Sequence, residues 1–132
     1  MIRFQDLKVG DFVMADYDGQ KWEGTIKDFN REDKEVCVET GVQEFWFKPD
    51  HLYGIPLSDE QLIKLGFIRQ LNDDGSVKYM KGAFRIFLPR KDDFSNLEIW
   101  YREDRRNLNR AITVHELQNH YNQMTKVILS RH

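Results

Sequence analysis

The chain is short of the features that most quickly assign a function. Its single cysteine, Cys37, excludes an internal disulfide framework and a cysteine-based metal site. No apolar run approaches the length of a membrane span, so no membrane is expected as a partner. The opening Met-Ile-Arg-Phe-Gln-Asp has no apolar signal-peptide core, which leads us to expect a cytoplasmic protein. A net charge of −2 points to no partner by bulk electrostatics. There is no internal repeat, no low-complexity stretch and no glycine-rich phosphate loop: Gly19, Gly24 and Gly41 sit where hairpins or bulges belong. What remains is a 132-residue chain with 40% hydrophobic and 32% charged residues, a globular composition long enough to bury a core without staples. Aromatics at 13% imply a core built largely on Phe, Tyr and Trp.

Charge is unevenly placed. Residues 1–66 hold 8 Lys+Arg against 14 Asp+Glu, and residues 67–132 hold 12 against 8. The second half is weighted to arginine, whose planar fork suits phosphate and carboxylate. Two oppositely charged halves could equally attract one another, or form ordinary solvated faces.

The pattern of the first half predicts four short strands with tight turns: Phe12 to Asp16, Trp22 to Phe29, Glu35 to Thr40 and Val42 to Lys48. Asp18-Gly19 is a hairpin signal, and Gly24 inside a strand suggests a bulge or sharp bend. Together they fit a small bent β-barrel or antiparallel sheet over residues 1–57, with Leu52 to Leu57 as a connector. Residues 58–132 read as an α+β subdomain, or as the continuation of a single domain. A capping box, Ser58 to Gln61, opens a short helix that ends at Gly66. Strands are expected at Phe67 to Leu71, Val77 to Lys81, Ala83 to Leu88 and Leu97 to Arg102. Arg105 to Arg110 fits a β-turn or a short extended arm. Thr113 to Glu116 is a second capping box, and Val114, Leu117, Tyr121, Met124 and Ile128 form one apolar stripe. A helix over about 113–126, packed on the second sheet, follows. The fold class is α+β.

Motifs that invite chemistry fail on geometry. His115 and His120 flank a glutamate, as in a zinc-protease signature, but their spacing is five rather than four. Five helical steps set the two rings roughly 140° apart, so no metal is expected there. His115 is then a helix-start residue on the surface or bonded to the sheet, while Gln118 and Asn119 face solvent or a partner. Cys37 stands between two valines with Glu35 and Glu39 on its own face, the opposite of what activates a thiolate. No catalytic residue and no cofactor is indicated, although an enzyme of unknown type stays among the alternatives.

Two constellations point to binding instead. Arg85, Trp100, Arg102, Arg105, Arg106 and Arg110 place an aromatic among arginines, a combination that stacks bases and meets phosphates. Phe45, Trp46 and Phe47 are consecutive in a strand and cannot share one face, so the strand is either buried on both sides or shows aromatic surface to a protein partner or a second copy. The reading is a non-enzymatic binding module for nucleic acid, or a protein-interaction or self-assembly protein.

The opening Leu7-Lys8-Val9-Gly10-Asp11-Phe12-Val13, with the bent strands after it, resembles the start of an SH3-like or Tudor-like barrel. Ile55-Pro56-Leu57-Ser58 before a helix ending Leu65-Gly66-Phe67, followed by Val114-His115-Glu116-Leu117-Gln118-Asn119 with Tyr121, resembles small uncharacterised proteins of Bacteroidetes genomes and their prophages. Those relatives often read Leu-Tyr-Phe after the Gln-Asn, where this chain has His120-Tyr121-Asn122. The resemblance implies a bacterial cytoplasmic or mobile-element origin and carries no activity.

Overall fold

The computed structural model describes residues 2–131; His132 lies outside them. It is α+β, with two five-stranded antiparallel sheets, a short helix and a C-terminal helix. The chain divides into two compact units, one running to Ile55 and the other from Pro56.

In the first unit, β1 (Phe12–Tyr17), β2 (Gln20–Asn30), β3 (Glu35–Glu39) and β4 (Glu44–Phe47) form a meander. The stretch read as a connector is in part a fifth strand. After a 3-10 turn over Pro49–His51, β5 (Leu52–Tyr53) returns to pair with β1. Two residues are too few to show a period, which is why the sequence hid them. The order β4-β3-β2-β1-β5 leaves β4 and β5 as edges, so the sheet is bent but not closed into a barrel.

Two features produce the bend. The β2–β3 register slips between Ile26 and Asp28, a bulge three residues beyond Gly24. Gly24 itself marks a close approach: a Cβ there would overlap Val38 Cγ1 and lie 2.8 Å from the Glu39 carbonyl oxygen. The inner face buries Val13, Ala15, Ile26, Val36, Val38 and Leu52, closed at one end by Ile2 and Leu7. Asp11 is also buried, and its carboxylate accepts the Lys8 N–H at 2.9 Å.

In the second unit, α1 (Asp59–Lys64) is capped by Ser58 Oγ, which accepts the Gln61 N–H. β6 (Ile68–Leu71), β7 (Val77–Lys81), β8 (Phe84–Leu88) and β9 (Leu97–Tyr101) follow in the expected places. Of the stretch Arg105 to Arg110, residues 105–108 belong to an edge strand, β10 (Asp104–Leu108), joined to β9 by a tight turn with Arg102 in the left-handed region at φ 56°. The sheet runs β10-β9-β8-β7-β6.

α2 (Val114–Thr125) carries the expected capping box, with the Thr113 N–H donated to Glu116 Oε1 at 3.1 Å. Val114, Leu117 and Tyr121 are buried, and Tyr121 meets Phe84 of the sheet at 4.7 Å between ring centroids. Ile128 does not continue the stripe. The helix stops at Lys126, in the left-handed region, and Leu129 is buried while Ile128 is exposed. Gln118, expected to face solvent or a partner, is buried and donates to the Leu129 carbonyl at 2.9 Å, which ties the tail to the helix. His115 is buried too, with Nδ1 3.0 Å from Thr113 Oγ1. Among the described residues, no helix is long and apolar enough to cross a membrane.

Candidate functional site

The antiparallel register of the second sheet sorts its side chains into two faces. On the covered face one cross-strand row reads Arg69, Tyr79, Ile86, Ile99, Arg106. The three middle residues are buried. The two outer arginines reach the helices: Arg69 donates to Asp59 at the start of α1, and Arg106 donates to His120 Nδ1 and Gln123 Oε1 on α2, both at 2.8 Å. Burial first, then the Arg106 guanidinium, lowers the His120 pKa, so the imidazole stays neutral and keeps Nδ1 as an acceptor.

On the opposite face, one row reads Ile68, Met80, Arg85, Trp100, Arg105. The next reads Gln70, Lys78, Phe87, Glu98, Asn107. All ten are exposed or half-buried. Three cations stand here against the single carboxylate of Glu98. The Arg105 guanidinium stacks over the Trp100 ring at 4.0 Å, and Trp100 Nε1 donates to the Arg102 carbonyl at 2.5 Å, fixing the indole's angle. Arg85 lies across from Trp100 on the other side, with Nη1 3.8 Å from Met80 Sδ.

The six residues singled out from the sequence therefore separate. Arg85, Trp100 and Arg105 share one row, and Arg102 stands at the adjoining turn, its guanidinium 5.0 Å from the Tyr101 ring. Arg106 faces the core side and holds α2. Arg110 is committed to Glu116 at 2.7 Å. Burial acts to raise the Glu116 pKa, but the hydrogen bonds from Arg110 and Thr113 outweigh it and hold the carboxyl below its ordinary value. Sequence reasoning missed Ile68, Lys78, Met80 and Phe87, which are seen to share a sheet face with Trp100 only once strand register is known.

The first unit holds a second concave surface. Strand alternation splits Phe45, Trp46 and Phe47: Phe47 is buried, Phe45 half-buried, and Trp46 is 49% exposed on the other face, opposite Cys37. Burial is the largest cause raising the Cys37 pKa, followed by the charges of Glu44, Asp28 and Glu39. On the inner face Tyr17 stacks on Phe45 at 5.1 Å and meets Phe47 edge-on at 6.3 Å. With Trp22, Val42, Thr40 and Gln43 these rings line a groove of about 190 Å³.

Among the described residues, no group of three or more His, Cys, Asp or Glu side chains converges as metal ligands would. No family model, curated protein or solved structure matches the chain.

Proposed function

We propose that the protein is a non-enzymatic binding module whose second unit takes single-stranded nucleic acid on the open face of its sheet. The observation that carries this reading is the row Arg85–Trp100–Arg105, which sets an aromatic residue between two arginines on an exposed face, one guanidinium stacked on its ring. Bases stack on such a ring without regard to sequence, while flanking arginines meet the backbone phosphates. The open face of a five-stranded sheet offers no protruding helix for a duplex groove, so the splayed single strand is the form that fits. Met80 and Phe87 extend the apolar platform, and Lys78 and Arg102 add cations at its margins.

The test is tryptophan fluorescence during titration with a single-stranded oligonucleotide at low and at physiological salt, compared with a duplex. Binding should quench Trp100 and weaken with salt. With about three phosphates neutralised, the log–log slope should be about −2. An Arg85→Gln/Arg105→Gln double variant should bind at least tenfold more weakly. No response at low salt, or undiminished binding by the double variant, would remove nucleic acid from this face.

A further inference from the structure

The aromatic groove of the first unit does not stand alone. Its lip, Val42 and Gln43, also lines an acidic concavity with Glu39, Gly41 and Glu44 on the other side of the β3–β4 hairpin. Val42 is 83% exposed at the ridge between the two. Glu39 and Glu44 lie directly opposite each other across the strand pair. Like charges so placed destabilise a ladder, and Lys27, 3.8 Å from Glu39, offsets them in part. The unit as a whole is acidic, with 7 Lys+Arg against 12 Asp+Glu up to residue 55.

We propose that this end of the first unit docks a short basic peptide segment of a partner protein, with a large apolar side chain in the aromatic groove and a neighbouring cationic side chain on Glu39 and Glu44. Three features select that occupant. The groove's walls are Tyr17, Trp22, Phe45 and Phe47, with only Thr40 and Gln43 polar, which suits an apolar anchor of side-chain size. The paired glutamates one ridge away have a use for their repulsion once a cation sits between them. The surrounding negative charge draws in a basic chain and turns away nucleic acid. The inference is independent of the nucleic-acid reading, which concerns the other unit.

Synthetic hexapeptides test it, with the full chain observed by backbone amide NMR. An alternating arginine–leucine peptide should shift resonances of residues 17–22 and 39–47, with affinity falling about fivefold between low and physiological salt. The glutamate–leucine and arginine–serine counterparts should bind at least tenfold more weakly, because each lacks one half of the recognition. Val42→Ser, at an exposed position where folding is not at risk, and Glu39→Gln/Glu44→Gln should each weaken binding about fivefold. Absent binding overturns the proposal. So do shifts centred elsewhere, a counterpart peptide binding equally well, or variants without effect.

Discussion

Asp11 is a buried carboxyl of the first unit that accepts the Lys8 N–H. Burial raises its pKa to about 7, against the lowering effects of the Lys8 N–H and the Lys8 charge. Below about pH 4 it is protonated in both folded and unfolded chains. Between there and pH 7 only the unfolded chain ionises, so folding stability falls as pH rises through that window and levels off above it. Between pH 5 and pH 8 this one group should cost about 2–3 kcal/mol. Asp11→Asn keeps an oxygen for the Lys8 N–H and removes the ionisation. Denaturant unfolding at the two pH values should give the variant a correspondingly flatter profile, and parallel profiles would show that folding leaves the Asp11 pKa at its unfolded value. His120 acts in the other sense. Its lowered pKa means that acid protonates the unfolded chain first, so its contribution is lost as pH falls through and below the ordinary histidine range. Gly24 belongs to this scale as well. Gly24→Ala would drive a methyl into Val38 and the Glu39 backbone, and should destabilise the first unit by about 2 kcal/mol or more in thermal unfolding.

Among the elements, legibility followed the density of local signal. α2 was readable because a capping box and a 3.6-residue stripe agree over three turns, and Thr113→Ala should cost about 1 kcal/mol by opening that cap. β10 was not, because Asp-Arg-Arg-Asn-Leu has no apolar alternation. As an edge strand it needs none: Asp104, Arg105 and Asn107 are exposed. The side chain that reaches α2 is Arg106, whose bonds to His120 and Gln123 were invisible in sequence since the partners lie 14 and 17 residues away. Gln118 was misread for a related reason. A polar residue on a helix reads as outward until a backbone carbonyl, here that of Leu129, is found to satisfy it inside. Arg106→Ala should loosen α2 from the sheet edge without melting the sheet. Hydrogen exchange should then rise in 114–125 and stay unchanged in β7 to β9, and equal acceleration in both would mean that Arg106 supports the whole unit.

Across the whole molecule, the split of charge noted in the sequence becomes a division between two units with different surfaces. Residues up to 55 carry 7 cations against 12 carboxylates, and residues from 56 carry 13 against 10. Aromatic side chains are exposed in both, at Tyr17, Trp22 and Trp46 in the first unit and at Trp100 in the second. Composition could report that aromatics were plentiful, and the triplet Phe45–Phe47 could report that its rings must divide between two faces. Neither could report that Tyr17 and Trp22 join the first group, because Tyr17 and Phe45 meet although their strands are not paired, or that Arg85 and Arg105 bracket Trp100, because that row is made by cross-strand register. An aromatic ring accepts many ligands, so the charge beside it decides which are admitted. On the proposed reading, Arg85 and Arg105 admit phosphate, and Glu39 and Glu44 admit cations. The two ligand classes should therefore bind the full chain together and without competition. Adding saturating arginine–leucine peptide should leave oligonucleotide affinity at fixed salt within about twofold, and Arg85→Gln/Arg105→Gln should lose the oligonucleotide while keeping the peptide. The controlling comparison is to add free peptide to oligonucleotide alone, since opposite charges associate in solution at low salt. At physiological salt, where that background is screened, competition between the two ligands would mean that one surface serves both and that local charge does not sort them.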